Sequence, residues 1–290
     1  MALRHSAFYA PLLVAMSKDY LPKAGFTVNY AIHAPDNTFT DGIRSGRVQL
    51  AQAAVATSFA GLEAGEACDI VHFAQINQRD GFFIAGREAD NDFHWEKLLG
   101  RDVLVDHLFQ PLAMLRYGLH RLGIDLDKVN VVDAGDVAQI DAAFRNGQGD
   151  YVHQQGPAPQ QLEKDGLAHV VASVGDLVGP VAFSSLCASR EWLQTDMAQA
   201  FMDVYRRARE FVAAAAATEI ADLIQAQLPD IDADVLISTI STYQRLGCWS
   251  GGVEITKDVY ENLLDVFLHS GLITQRHAYA SCVVEPPAVS

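Results

Sequence analysis

Apolar positions along the chain switch repeatedly between strand-like and helix-like spacing. Ala2–Ser6 reads as a short strand and Tyr9–Leu21 as an amphipathic helix, with Gly25 as its C-cap. Phe26–Ile32 alternates as a strand, Asp36-Asn37 offers an N-cap to a helix carrying Ile43 and Arg44, and Val48–Ala54 is the next strand. Thr57 stands as the N-cap of a helix over Ser58–Ala64. Ile70–Ile76 is an almost wholly apolar strand, the pattern expected when both sheet faces are covered. The same order then recurs, with strands at Arg101–Val105, Val129–Val132 and Tyr151–Gln154. Between and after them lie helices over Pro111–Leu122, from Asp136 through Phe144, and over Pro157–Lys164, the last led by proline. His169–Ser173 and Val181–Ala188 add two strands. This alternation predicts a mainly parallel sheet in each half. After Arg190 the spacing is helical, over 191–217, 219–228, 233–246 and 256–270, and Pro286-Pro287 reads as a frayed end.

The two halves resemble each other residue by residue. Phe8-Tyr9-Ala10-Pro11-Leu12 is answered by Leu108-Phe109-Gln110-Pro111-Leu112, Ala24-Gly25-Phe26 by Leu122-Gly123-Ile124, and Ile43-Arg44-Ser45-Gly46 by Phe144-Arg145-Asn146-Gly147. The repeat predicts an α/β fold of two similar three-layer lobes facing each other across a cleft. Residues 1–79 and 183–290 form lobe 1, with the C-terminal helices packing on it, and residues 80–182 form lobe 2. The crossings between lobes fall near Gln78–Phe82 and Val178–Ser184.

Composition narrows the function. At 290 residues with half of them hydrophobic, the chain can bury a substantial core. A net charge of −15 opposes a polyanion, so no nucleic-acid partner is expected. No apolar run approaches the roughly 18 to 20 residues that span a bilayer. Arg4 followed by Ala7–Met16 superficially resembles an export signal but aligns with the strand and helix start of the second copy, so it is read as part of the fold. The four cysteines (68, 187, 248 and 282) form no CxxC pair, and the ten histidines include no HExxH spacing. No metal and no cofactor are expected.

In open α/β sheets ligands bind beyond the carboxyl ends of the strands. Here that rule selects the loops 5–9, 53–57, 106–110 and 154–157, with Asn77-Gln78 at the exit from lobe 1. The candidate ligand-binding residues in them are His5, Phe8, Tyr9, Thr57, Asn77, Asp106, His107, Phe109, Gln110, Gln154 and Gln155. They mix aromatic rings with hydrogen-bonding groups, as a small-molecule site requires. His153 sits beside them, and a lone histidine at a strand end is more often structural.

The stretches from Trp95-Glu96-Lys97-Leu98-Leu99-Gly100 to Val105, Leu115-Arg116-Tyr117, Ala142-Ala143-Phe144-Arg145-Asn146-Gly147 and Ser189-Arg190-Glu191-Trp192-Leu193 resemble a known pattern. It is that of the NMT1/THI5-like (SsuA/TauA-like) group of type II periplasmic solute-binding proteins, and the resemblance spans roughly residues 2–275. It implies capture of a small organic solute, with hinge closure, for the permease of an ABC importer. It further implies a monomer that is periplasmic or membrane-tethered if an export signal has been removed, and cytoplasmic if Met1 is the native start. In the sulfonate and nitrate binders of this group, the loop after the first strand of lobe 2 is rich in Gly and Ser, so that backbone amides can hold an anion. Here it reads Asp106-His107-Leu108-Phe109-Gln110-Pro111, where Asp106 repels an anion and Pro111 lacks an amide donor. The expected ligand is therefore neutral or basic, and heteroaromatic if it stacks on Phe8, Tyr9 or Phe109. Two other readings stay open: an enzyme on the same scaffold (a THI5-like pyrimidine synthase or a lyase), and a cytosolic ligand sensor. The Cys-rich CCCFC motif of the THI5-type synthases is absent.

Overall fold

The computed structural model describes residues 1–17 and 19–288. Two sheets organise it. The first joins β1 (Ala51–Ala53), β8 (Ser184–Ser189) and β2 (Ile70–Asn77) in that order, and single parallel bridges tie Ala2 to Gln52 and to Ile32. The second runs β5 (Asn130–Val132), β4 (Asp102–Val105), β6 (Tyr151–Gln155), β3 (Phe82–Gly86), β7 (His169–Ser173). Alternation along the strands sends side chains into different cores. Val103 and Val105 join the large cluster that runs between the lobes, whereas Leu104 joins a separate cluster with Ile140 and Phe144. Both faces of each sheet are thus covered, which explains why β2 is buried along its whole length.

The helices flank these sheets. Lobe 1 carries α1 (Ala10–Met16), preceded by a 3-10 turn at Ala7–Tyr9, with α2 (Phe39–Arg44) and α3 (Phe59–Glu63). Lobe 2 carries α4 (Phe109–Arg121), α5 (Val137–Arg145), α6 (Ala158–Lys164) and α7 (Val174–Val178). The last third supplies α8 (Asp196–Ala214), α9 (Ala217–Ile224), α10 (Ala233–Leu246), α11 (Lys257–His269) and α12 (Tyr279–Cys282). These helices pack on lobe 1 through contacts of α8 and α9 with α1, and α10 and α11 also reach across to α6 and α4. The Tyr243 hydroxyl on α10 is shared between the carbonyls of Gly81 and Gly156, 3.0 and 3.1 Å away, so one side chain spans a crossing and the end of β6.

Several sequence expectations need correction. The sheets are not mainly parallel. In the first, β8 runs antiparallel to both β1 and β2; in the second, β4 is parallel to β5 and β6, but β3 is antiparallel to β6 and β7. Both strands that break the pattern are the first after a change of sheet: the chain passes from the first sheet to the second at β3 and returns to the first at β8. The expected strands at 2–6 and 26–32 shrink to single bridges, because residues 27 and 29–32 lie exposed and no neighbouring strand extends a ladder along them. The helix expected over 9–21 ends at Met16, and Lys18 lies outside the described residues. The cap of α2 is Thr38 rather than Asp36-Asn37. Val289 and Ser290 also lie outside the described residues, but the Pro287 carbonyl is held by Arg206 Nη2 at 2.7 Å, so Pro287 is not frayed.

Candidate ligand-binding cleft

Strand ends from both sheets deliver their loops to one place. Gln52 on β1 accepts the amides of Leu3 and Arg4 at 2.9 and 3.1 Å and donates to Ser184 Oγ at 3.1 Å, which sets the Arg4 side chain at the edge of lobe 1. Opposite it, Asp106 follows β4 and accepts the Leu108 amide on Oδ1 at 2.9 Å. Arg4 Nη2 reaches Asp106 Oδ2 at 2.8 Å across the interface, and the Asp106 side chain is only 8% exposed. Ser6 Oγ donates to Gln155 Oε1 at 2.8 Å, Gln155 Nε2 lies 3.4 Å from Tyr9 Oη, and Gln110 Nε2 donates to the Phe183 carbonyl at 2.8 Å. The walls meet closely. A cavity of about 50 Å³ remains between Leu3, Arg4, Tyr9, Phe82, Gln155 and Phe183, with Gln52, Gln110 and Pro111 at its margin.

Strand register explains the floor. Phe82 on β3 pairs with Gln155 on β6, so His153, two residues back, shares the face of Phe82. The two rings stack at 4.8 Å and 27°, and Arg4 Cζ lies 5.6 Å from the Phe82 centroid. His153 is fully buried, and neither ring nitrogen has a hydrogen-bond partner. Burial lowers its pKa to about 4, so the ring is neutral at physiological pH. Just before β3, Asp80 accepts the Phe82 amide at 2.6 Å through Oδ1 while Oδ2 stays unpartnered. Burial pushes this carboxyl up to about 7. Burial likewise raises the Tyr9 phenol, with Arg4 pulling the other way.

The expected site residues divide into groups. Tyr9, Asp106, Gln110 and Gln155 meet in the cleft. Phe8 is wholly buried behind it, with ring centroids 4.8 Å from Tyr243 and 5.4 Å from Phe183, and it packs so closely on Gly81 that a side chain there would collide with it. Asn77 and Gln154 are buried with both amide atoms unpartnered, and Gln154 pairs with Phe83 on the strand face opposite Phe82 and His153. Four residues turn elsewhere. His5 bridges Tyr30 Oη and the Gln227 carbonyl, at 2.8 and 2.7 Å. His107 Nδ1 sits 2.7 Å from the Val105 carbonyl, and Phe109 is 71% exposed at the start of α4. Thr57 donates to the Ala54 carbonyl at 2.7 Å and lines a separate pocket with Arg44, Asp69 and His72. It caps no helix.

Sequence reasoning passed over Arg4, Gln52, Phe82 and Phe183, and it assigned His153 to structure. Arg4 lay one residue before a selected loop, and Phe82 lay in a crossing, so position beside these loops was the only signal. The arrangement offers a carboxylate, a neutral imidazole, amide groups and aromatic walls. It offers no thiolate, since none of the four cysteines lines the cavity and burial pushes Cys187 and Cys282 up to about 12. Among the described residues no group of three or more His, Cys, Asp or Glu is placed to hold a metal ion, and no helix is long and apolar enough to cross a membrane.

This fold has relatives. YtlA of Bacillus subtilis (strain 168), named as a binding protein, is 30% identical over 284 residues, covering 96% of this chain and 85% of that protein. The periplasmic aliphatic sulphonate binding protein SsuA of Escherichia coli superposes with a TM-score of 0.75 at 16% identity, covering 100% of this chain and 94% of that one. The ligand binding component of an ABC-type import system from Staphylococcus aureus, solved with zinc bound, gives 0.72 at 18% identity, with coverages of 96% and 93%. These likenesses identify the two-lobed fold of the periplasmic binding proteins. A family model described as NMT1/THI5 like matches residues 7–218, and the chain belongs to that family.

Proposed function

We propose that the protein is the solute-binding component of an ABC-type importer, closing its two lobes around a small organic molecule that is neutral or basic. The lobes are residues 1–79 with 183–290, and 80–182, hinged near Gln78–Phe82 and Val178–Ser184. The protein works as a monomer outside the cytoplasmic membrane and hands its ligand to the permease. The observation that carries this reading is the convergence of both lobes' loops on one point, where Arg4 meets Asp106 and Ser6 meets Gln155. A molecule seated there touches both lobes and so favours the closed state over the open one. The charge preference rests on the loop after β4. Its Leu108 amide is already taken by Asp106 and Pro111 has none, which removes two of the backbone donors an anion would use. Tyr9, Phe82 and Phe183 suit a flat, heteroaromatic body.

Native mass spectrometry of the purified protein, combined with thermal shifts against pyrimidines, polyamines, aromatic acids and sulfonates, tests this reading. A true ligand at one hundred to one thousand times its Kd adds about 3 to 4 kcal/mol of stability, visible in the melt. Micromolar binding of taurine or an alkanesulfonate overturns the charge preference. Recovery of a panel compound chemically altered overturns the transport reading.

A further inference from the structure

Arg4 makes, inside the cleft, the contacts of a ligand. Its guanidinium pairs with Asp106 at 2.8 Å and lies 5.6 Å from the centroid of Phe82, within the reach of a cation–π contact. Arg4 comes from lobe 1, whereas the groups it meets, Asp106 and Phe82, stand at strand ends of lobe 2. On the strand face that Phe82 shares with Gln155, His153 stacks beneath the Phe82 ring, fully buried and with both ring nitrogens unpartnered. A buried imidazole without partners is costly, and a ligand N–H directed at its free nitrogen removes that cost. A planar cation that donates several hydrogen bonds matches all three groups at once: the carboxylate, the aromatic face and the imidazole acceptor.

We infer that the cleft recognises a planar amidinium- or guanidinium-type cation, held by Asp106, Phe82 and His153, and that Arg4 is an internal surrogate which the ligand displaces. This rests on the cleft being the ligand site and narrows what enters it. While Arg4 occupies Asp106, the binding-competent fraction is reduced, and apparent affinity falls with it. Removing Arg4 therefore strengthens binding of such a cation. A scaffold role for Arg4 would leave binding unchanged or weaken it, and a role as an anion anchor would reverse the charge preference.

Isothermal titration calorimetry with benzamidinium, its neutral isostere benzamide and its anionic counterpart benzenesulfonate distinguishes these cases, using the full chain and its Arg4→Met, Asp106→Asn and His153→Phe variants. Circular dichroism melts verify that each variant folds. Benzamidinium is expected to bind at least about tenfold tighter than benzamide, a difference of one decade in Kd. Arg4→Met should tighten benzamidinium by about fivefold or more, through the larger competent fraction. Asp106→Asn should abolish the preference over benzamide, and His153→Phe should weaken benzamidinium without abolishing that preference. The inference is overturned if benzamidinium binds neither the native chain nor Arg4→Met. It is equally overturned if Arg4→Met weakens benzamidinium, or if benzenesulfonate binds and loses its affinity with Arg4. If a different compound stabilises the protein and loses its effect in Asp106→Asn, only the cation inference has failed. If benzamidinium binds undiminished in Asp106→Asn, the assignment of the cleft itself falls with it.

Discussion

Asp80 is a carboxyl in an environment that its sequence context does not announce. It stands in the crossing between lobes, fully buried, with one oxygen on the Phe82 amide and a pKa pushed by burial from 3.8 up to about 7. Because the folded pKa is the higher one, the unfolded chain releases this proton between about pH 4 and 7 while the folded chain retains it. Stability therefore falls as pH rises through that window and is flat above it. Asp80→Asn keeps an oxygen for the Phe82 amide and removes the titration. It should stabilise the protein by roughly 2 to 4 kcal/mol at pH 8 and by much less at pH 4, as read by urea unfolding at the two pH values. An equal effect at both would show that Asp80 does not hold its proton. The buried histidines act in the opposite sense. Burial lowers His72 to about 3 and His153 to about 4, so the unfolded chain takes up protons first as pH drops below 6.5, and stability is lost on the acid side.

Arg209 shows how one buried side chain ties several elements together. It lies on α8, is 2% exposed, and gives its guanidinium to three backbone carbonyls, those of Ile76, Ser250 and Gly252. The last residues of β2 are thereby clamped to the loop after α10, next to the crossing. Burial pulls its pKa down, yet an arginine stays charged, so these carbonyls are its compensation. Arg209→Met leaves all three without this donor and should cost about 3 kcal/mol or more, measured as a drop in the urea midpoint at constant slope. Local signals made many elements legible. Asp136 forms a full capping box with Gln139 at the start of α5, and α10 occupies the expected 233–246. Gly25 and Gly123, matched across the repeat, both adopt left-handed backbone, with φ of 89° and 77°. β3 was not legible. Its five residues are apolar and begin where the expected crossing ends, and only β6 and β7 on either side make them a strand.

At the scale of the whole molecule, the cleft side is held by Arg4 with Asp106, Ser6 and Tyr9 with Gln155, and Gln110 with Phe183, while Tyr243 with Gly81 and Gly156, Lys164 with Asp234 and Asn262 with the Pro180 carbonyl tie the same two parts together elsewhere. In the proposed open–closed equilibrium, the cleft-side contacts are the ones a ligand would compete with. Gln155→Ala removes two of these contacts without touching either core. It should raise the radius of gyration seen by solution scattering above the roughly 19 Å expected for a compact chain of this length. An unchanged radius would show that the helices α10 and α11, which bridge to lobe 2, hold the closed form on their own.

The sequence by itself determined the two-lobed α/β plan and the elements with strong local signals, and it named candidate loops for a cleft, because periodicity, caps and turn glycines act over a few residues. The tertiary structure alone decided strand direction at the crossings and which side chain of each loop faces inward. Arg4 and Asp106 stand 102 positions apart, as do no two residues linked by local spacing, and their pairing exists only once the sheets have brought two strand ends together. For the same reason His5, Thr57 and Phe109, equally placed in the selected loops, turn away. Position along the chain chose the loops, and the register of distant strands chose the residues.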